Sequence, residues 1–125
     1  WHLGEDPTTQ GIDINVGGNT RGAPPSYFSP YKNPNLKDGP KGEYLTDRLT
    51  DEAITILEKF KDDPFFIYFP FYSIHTPLQG RPDLKKKYKN NKQVHADYAA
   101  MIECLDENVG RLMSALDELG LRDNT

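Results

Sequence analysis

Phe65-Phe66-Ile67-Tyr68-Phe69 is an unbroken apolar run with Pro64 on one side and Pro70 on the other. A strand with one wet face alternates apolar and polar side chains. A continuous run instead predicts a strand buried on both faces, as in the parallel core of an α/β sheet. Pro70 has no amide proton and closes the run. Upstream, Leu45, Leu49, Ala53, Ile56, Leu57 and Phe60 recur at three- and four-residue steps. That spacing predicts an amphipathic helix over 44–61. Thr46 or Asp47 can cap its start, Asp51 and Glu52 suit the positive end of its dipole, and Asp62-Asp63-Pro64 stops it. Helix then buried strand is half of an α/β repeat.

Downstream, residues 81–92 carry Arg81, Lys85, Lys86, Lys87, Lys89 and Lys92 against Asp83 alone. Such a run either steers a polyanionic substrate or forms a solvated short helix and turn. A long helix is predicted over 97–119. Tyr98, Ile102, Leu105, Val109, Leu112, Leu116 and Leu119 alternate steps of four and three, and Gly120 stands where a left-handed C-cap belongs. Gly110 and mixed flanking charges favour a helix lying on a sheet over a coiled coil. Met101 and Cys104 lie within or beside the stripe and read as packing residues.

The first third differs. Residues 1–42 hold 7 of the 10 glycines and 6 of the 10 prolines and show neither periodicity. Tyr27, Phe28 and Tyr31 give this stretch something to bury, so it reads as an ordered loop facing a substrate. The 125 residues suit one domain by length, with 36% hydrophobic residues and a net charge of −4. That charge argues against nucleic acid as the main partner, and no apolar stretch is long enough to span a membrane. One cysteine excludes an internal disulfide framework and a multi-cysteine zinc site. Two helices and one strand do not complete a sheet, and the ends look cut, so the chain reads as a segment of a larger α/β protein.

Three histidines are candidates for chemistry. His75, in Ser73-Ile74-His75-Thr76-Pro77-Leu78, follows the carboxyl end of the predicted strand, where open α/β sheets bind ligands. There it either donates a proton to an anionic oxygen or leaving group, or hydrogen-bonds its own loop backbone. His2, in Trp1-His2-Leu3-Gly4, is a loop histidine with the same two readings. His95 precedes the long helix and reads as exposed or as a capping neighbour. The spacing of the three supports no metal site. Asp47, Asp51, Glu52 and Glu58, and Asp106, Glu107, Asp117 and Glu118, read as solvated helix faces. No nucleophile elbow, P-loop or dinucleotide fingerprint is present.

In combination these pieces resemble the middle of a type I sulfatase of the alkaline-phosphatase superfamily. Trp1-His2-Leu3-Gly4 is similar to the end of that family's G-K-W-H-L-G motif. Gln10-Gly11-Ile12-Asp13 with Gly17-Gly18 resembles its G-F-D-x-x-x-G stretch, Ile replacing Phe. Tyr44-Leu45-Thr46-Asp47 matches the Y-x-T-D helix, and Phe65 through Leu78 looks like the strand and H-T-P-L loop. Tyr98-Ala99-Ala100-Met101, Leu105 through Gly110, and the ending at Asp123-Asn124-Thr125 also fit. Roughly residues 19–42 lie outside the match.

The resemblance implies a mixed sheet between helices, with residues 1–42 supplying active-site and substrate loops and 43–125 a helix-strand-loop-helix unit of one incomplete catalytic domain. It implies hydrolysis of carbohydrate or aryl sulfate esters, a formylglycine nucleophile and a calcium ion. The nucleophile motif C/S-x-P-S/A-R is absent and Cys104 precedes Leu-Asp-Glu, so nucleophile and cation ligands are expected outside this chain, in the remainder of the domain. The 125-residue segment alone is therefore expected to be inactive. By resemblance His2 accepts a proton beside the nucleophile, and His75 contacts the sulfate and protonates the leaving alcohol. Thr76 and Gln79 are candidate substrate contacts beside it, as are Tyr27 and Tyr31 on the 19–42 loop. Export to a periplasmic, secreted or lysosomal location is also implied. Two other readings stay open: a phosphate or phosphonate ester hydrolase of the same superfamily, and a non-catalytic binding module.

Overall fold

The apolar spacing after Tyr44 folds as helix α1 (Leu45–Phe60), which buries Leu45, Leu49, Ala53 and Leu57 on one side. Two further helices, α2 (Pro82–Tyr88) and α3 (Ala96–Glu118), and 3-10 turns at Pro7–Thr9 and Arg122–Asn124 complete the regular structure of the computed structural model, which describes residues 4–125. α1 starts two residues earlier than a Thr46 cap requires and three earlier than an Asp47 cap. Its N-cap is Tyr44, without a side-chain cap bond, and the Leu45 amide is satisfied by the Tyr27 carbonyl at 2.8 Å. Thr46 and Asp47 are thus free to reach other elements from the first turn.

α3 is capped as its sequence foretells. The His95 ring accepts from the Tyr98 amide (3.4 Å) at one end. At the other, Gly120 takes φ +69° and the Leu121 amide reaches back to the Leu116 carbonyl at 2.8 Å. Its buried face differs from the heptad stripe, being built from Ala100, Met101, Cys104, Asn108 and Ala115. Tyr98, Ile102 and Val109 of the stripe stay more than two-fifths exposed. Four of the five buried residues are small or medium-sized, which lets α1 and α2 approach closely. The bulkier stripe lies one position around the helix, a turn of about 100°.

The expected strand is not formed. No strand occurs among the described residues, whose one bridge pairs Phe28 with Tyr44. Phe66 and Tyr68 are 79% and 60% exposed. A strand needs a neighbour to pair with, and within 4–125 no second extended segment lies beside 65–69. The described structure is therefore helical, with the α/β sheet absent from it.

The core instead joins the loop-rich third to the helices. Tyr27, Tyr31 and Leu36 pack with the cap residue Tyr44, Leu45 and Leu49 of α1, Leu84 of α2 and Ala100, Met101 and Cys104 of α3. Tyr44 stacks on Tyr27 at 5.9 Å and meets Phe28 edge-on at 5.1 Å. The basic segment settles as α2, tied to α3 by Lys85–Asp97 (2.6 Å) and Lys87–Glu103. No helix of the described residues is long and apolar enough to cross a membrane.

One glycine sets the spacing where α3 begins. A Cβ on Gly80 would sit 2.9 Å from the Asp97 carbonyl oxygen and 2.7 Å from Ala100 Cβ, and backbone cannot swing aside. Gly80→Ala is expected to lower stability by about 1–3 kcal/mol, the usual cost of overpacking. Thermal unfolding of the intact protein checks this, and an unchanged melting temperature would show that the helix shifts freely.

Candidate active site

The segment from Tyr72 to Gly80 is held by the loop-rich third, by the start of α1 and by α3. The Tyr27 hydroxyl lies 2.6 Å from the Tyr72 carbonyl and 2.9 Å from the His75 carbonyl, so one buried proton serves both. The His75 amide donates to the Tyr72 carbonyl at 3.0 Å. Tyr72 donates its own hydroxyl to the Gly17 carbonyl (2.7 Å) and accepts from Asn19 Nδ2 (3.0 Å). Ser73 Oγ and Thr46 Oγ1 share a hydrogen bond of 3.1 Å. Gln79 Oε1 accepts from the Tyr27 amide (2.8 Å), and its carbonyl accepts from the Tyr44 hydroxyl (2.7 Å). The Gly80 amide donates to Asp97 Oδ1 at 3.0 Å.

These bonds commit Tyr72, Ser73, Gln79, Gly80 and the His75 backbone to the scaffold. His75, Thr76 and Pro77 are left exposed. Among the described residues the His75 imidazole has no hydrogen-bond partner, whereas its backbone has two. The alternative in which the ring caps its own loop backbone is not what forms.

The other sequence candidates fall differently. Tyr27 and Tyr31 have no exposed surface. Tyr31 donates its hydroxyl to Glu43 (2.7 Å) and its amide to Asp38 (2.5 Å), so both tyrosines brace the frame in this structure. Their loop closes onto α1, and ring burial outweighs exposure to solvent. Gln79 Oε1 is taken by the Tyr27 amide. His2 lies outside the described residues.

Behind the loop, Asp47 is not a solvated carboxylate. Its Oδ1 accepts from Asn108 Nδ2 (2.7 Å) and Arg81 Nη1 (3.2 Å), and the Cys104 thiol lies 3.6 Å away. Arg81 also pairs with Asp83 (2.8 Å) and Glu107 (3.2 Å), locking the three helices together. The only sequence signal for this junction was Asp47 in Y-x-T-D, because Arg81 and Asn108 are far off in the chain.

These residues do not fit the implied nucleophile or cation. Cys104 is buried, and burial, reinforced by the Asp47 carboxylate, pushes its thiol up to about 12. The described residues contain no cluster of three or more His, Cys, Asp or Glu side chains able to hold a metal, and Asp47 is already occupied by Arg81 and Asn108.

A family model described as Sulfatase matches residues 1–125. The chain belongs to the sulfatase family. It is 42% identical over 102 residues to a sulfatase of Formosa agariphila, covering 73% of this chain and 18% of that protein. It is 32% identical to a sulfatase of Escherichia coli K12, covering 95% of this chain and 22% of that one. The crystal structure of Ps i-CgsB superposes with a TM-score of 0.63 at 35% identity, over 73% of this chain and 21% of that one. The same protein has also been solved with k-i-k-neocarrahexaose. The sulfatase chain thus spans about a fifth of the length of these relatives.

Two predictions follow from the buried hydroxyl and thiol. Tyr27→Phe keeps the ring, strips the His75 carbonyl of its donor and leaves the Tyr72 carbonyl with the His75 amide alone, so it is expected to cost about 1–3 kcal/mol in the intact protein. Urea unfolding measures it; a loss below a few tenths would show that water replaces the hydroxyl. Burial also raises Tyr27 and Cys104 to about 12 from 10.0 and 9.0. The unfolded chain therefore releases these protons first as pH rises, and stability present below about pH 9 falls between there and 12. Cys104→Ala is expected to reduce that alkaline loss in urea melts compared at two pH values; an unchanged pH slope would contradict it.

Proposed function

We propose that the protein carrying this chain hydrolyses sulfate esters of carbohydrates, with aryl sulfates as simpler substrates, and that His75 is the acid that serves the departing alcohol. The observation that carries the reading is an exposed imidazole without a partner, on a backbone held by a buried hydroxyl, in a member of the sulfatase family. Transfer at sulfur leaves a negative charge on the ester oxygen, and a sugar alkoxide is too basic to depart without a proton. A histidine carries that proton near neutral pH. Fixing the loop at Tyr72, Ser73 and His75 lowers the cost of orienting the ring for each turnover.

Thr76, exposed beside His75, is in position to touch the substrate. His2 takes the second proton-transfer role by resemblance, beside the nucleophile. Nucleophile and cation come from outside the described residues, as formylglycine and calcium. The carbohydrate class draws support from Ps i-CgsB, solved with an oligosaccharide. The same reading makes Phe65–Phe69 a strand of a mixed sheet completed by the rest of the catalytic domain. The exposed rings of Phe66 and Tyr68, and a groove of about 730 Å³ lined by Leu57, Phe65, Ile67, Leu112 and Leu116, support such a covering layer.

His75→Ala in the intact protein is expected to lower kcat roughly 10²–10⁴-fold on a sugar sulfate, and far less on an aryl sulfate with an acidic phenol. Steady-state kinetics on both substrates reads this. An equal loss on both would remove His75 from the leaving-group role.

A further inference from the structure

Arg21 is the exception among the five arginines. Arg48, Arg81, Arg111 and Arg122 each pair with a carboxylate, whereas Arg21 has no carboxylate partner among the described residues. Its neighbour across a pocket of about 450 Å³ is Lys32, which is likewise without one. Asn19, Thr20, Asn33 and Pro34 complete the lining. Two unneutralised cations thus share one concavity in a chain whose net charge is −4.

The walls are built rather than loose. Asn19 Oδ1 accepts from the Arg21 amide (2.8 Å), while its Nδ2 donates to the Tyr72 hydroxyl (3.0 Å). Asn33 Nδ2 donates to the Gly17 carbonyl (2.8 Å) and its Oδ1 accepts from the Asn35 amide (2.9 Å). Both amides are spent on shaping the pocket, which leaves Arg21 and Lys32 as its charged donors. Lys32 sits at φ +53°, a left-handed conformation that a lysine adopts at a cost and that the surrounding turns impose. The pocket also shares a wall with the loop that bears His75, because Tyr72 accepts from Asn19 and its carbonyl receives the His75 amide.

We infer that this pocket is a subsite for an anionic substituent, sulfate or carboxylate, on a sugar ring other than the one being desulfated. The inference rests on the carbohydrate sulfatase reading and adds to it where charge discrimination resides. Guanidinium and ammonium donors recognise such groups by charge-assisted hydrogen bonds. The buried tyrosines of the same loop hold the frame, and the two cations meet the ligand.

The test uses the intact protein and three substrates: an aryl sulfate, an oligosaccharide sulfated on two rings, and one with a carboxylate in place of the second sulfate. Turnover of the aryl sulfate by the wild type, and its loss on sugar sulfates in His75→Ala, read the underlying function separately. The double variant Arg21→Gln/Lys32→Gln is expected to raise KM for the doubly charged oligosaccharides at least about tenfold more than for the aryl sulfate, with kcat little changed. Its KM should also lose most of its dependence on salt. Arg21→Lys, retaining the charge, should recover part of the affinity. A loss on both oligosaccharides assigns a general anion subsite, and a loss confined to the disulfated one assigns a sulfate subsite. Equal changes in KM on all three substrates, or none on any, would overturn the inference.

Discussion

The structure hangs on Tyr27. Its carbonyl satisfies the first amide of α1, its own amide is taken by Gln79, and its hydroxyl serves the carbonyls of Tyr72 and His75. Those partners lie 18 to 52 positions away in the chain, so one residue fastens the loop-rich third, the first helix and the histidine loop to each other. The ring is fully buried and stacks on Tyr44, which excludes water from the hydrogen bonds around it. In that setting an unmet carbonyl is costly, and the three segments hold one another in place.

This arrangement divides labour within the site. Polar groups facing inward are consumed by the scaffold, whereas His75 and Thr76 on the same loop are left to solvent. A second lock, Arg81 with Asp47, Asp83 and Glu107, fixes the helices behind the loop. The first lock grips His75 by its backbone carbonyl and the second leaves it untouched, so the imidazole takes part in neither. The anion pocket at Arg21 and Lys32 repeats the pattern, with asparagines spent on the walls and cations facing outward.

Local features were legible in the sequence because their causes are local. The spacing of Leu45 to Phe60 yields α1, His95 caps α3, and Gly120 ends it in the left-handed conformation the sequence called for. Features set by distant partners were not. Glycine and proline mark residues 1–42 as turns, yet nothing nearby says that Tyr27 and Tyr31 turn inward, since Tyr72, Gln79 and Glu43 decide it. The heptad stripe of α3 is not the face buried among the described residues, because close helix approach selects Ala100, Cys104 and Asn108 over larger side chains. The apolar run at 65–69 reads as a buried strand but forms none among the described residues, because pairing requires a neighbour that they do not contain.

The most direct test of the account is a crystal structure of the intact protein with a slowly hydrolysed sulfate ester of a sugar. The His75 ring is expected within hydrogen-bond reach of the bridging ester oxygen, with the Tyr27 hydroxyl still on the Tyr72 and His75 carbonyls. A substrate bound away from the 75–77 loop, or a His75 ring turned inward to cap its own backbone, would contradict it.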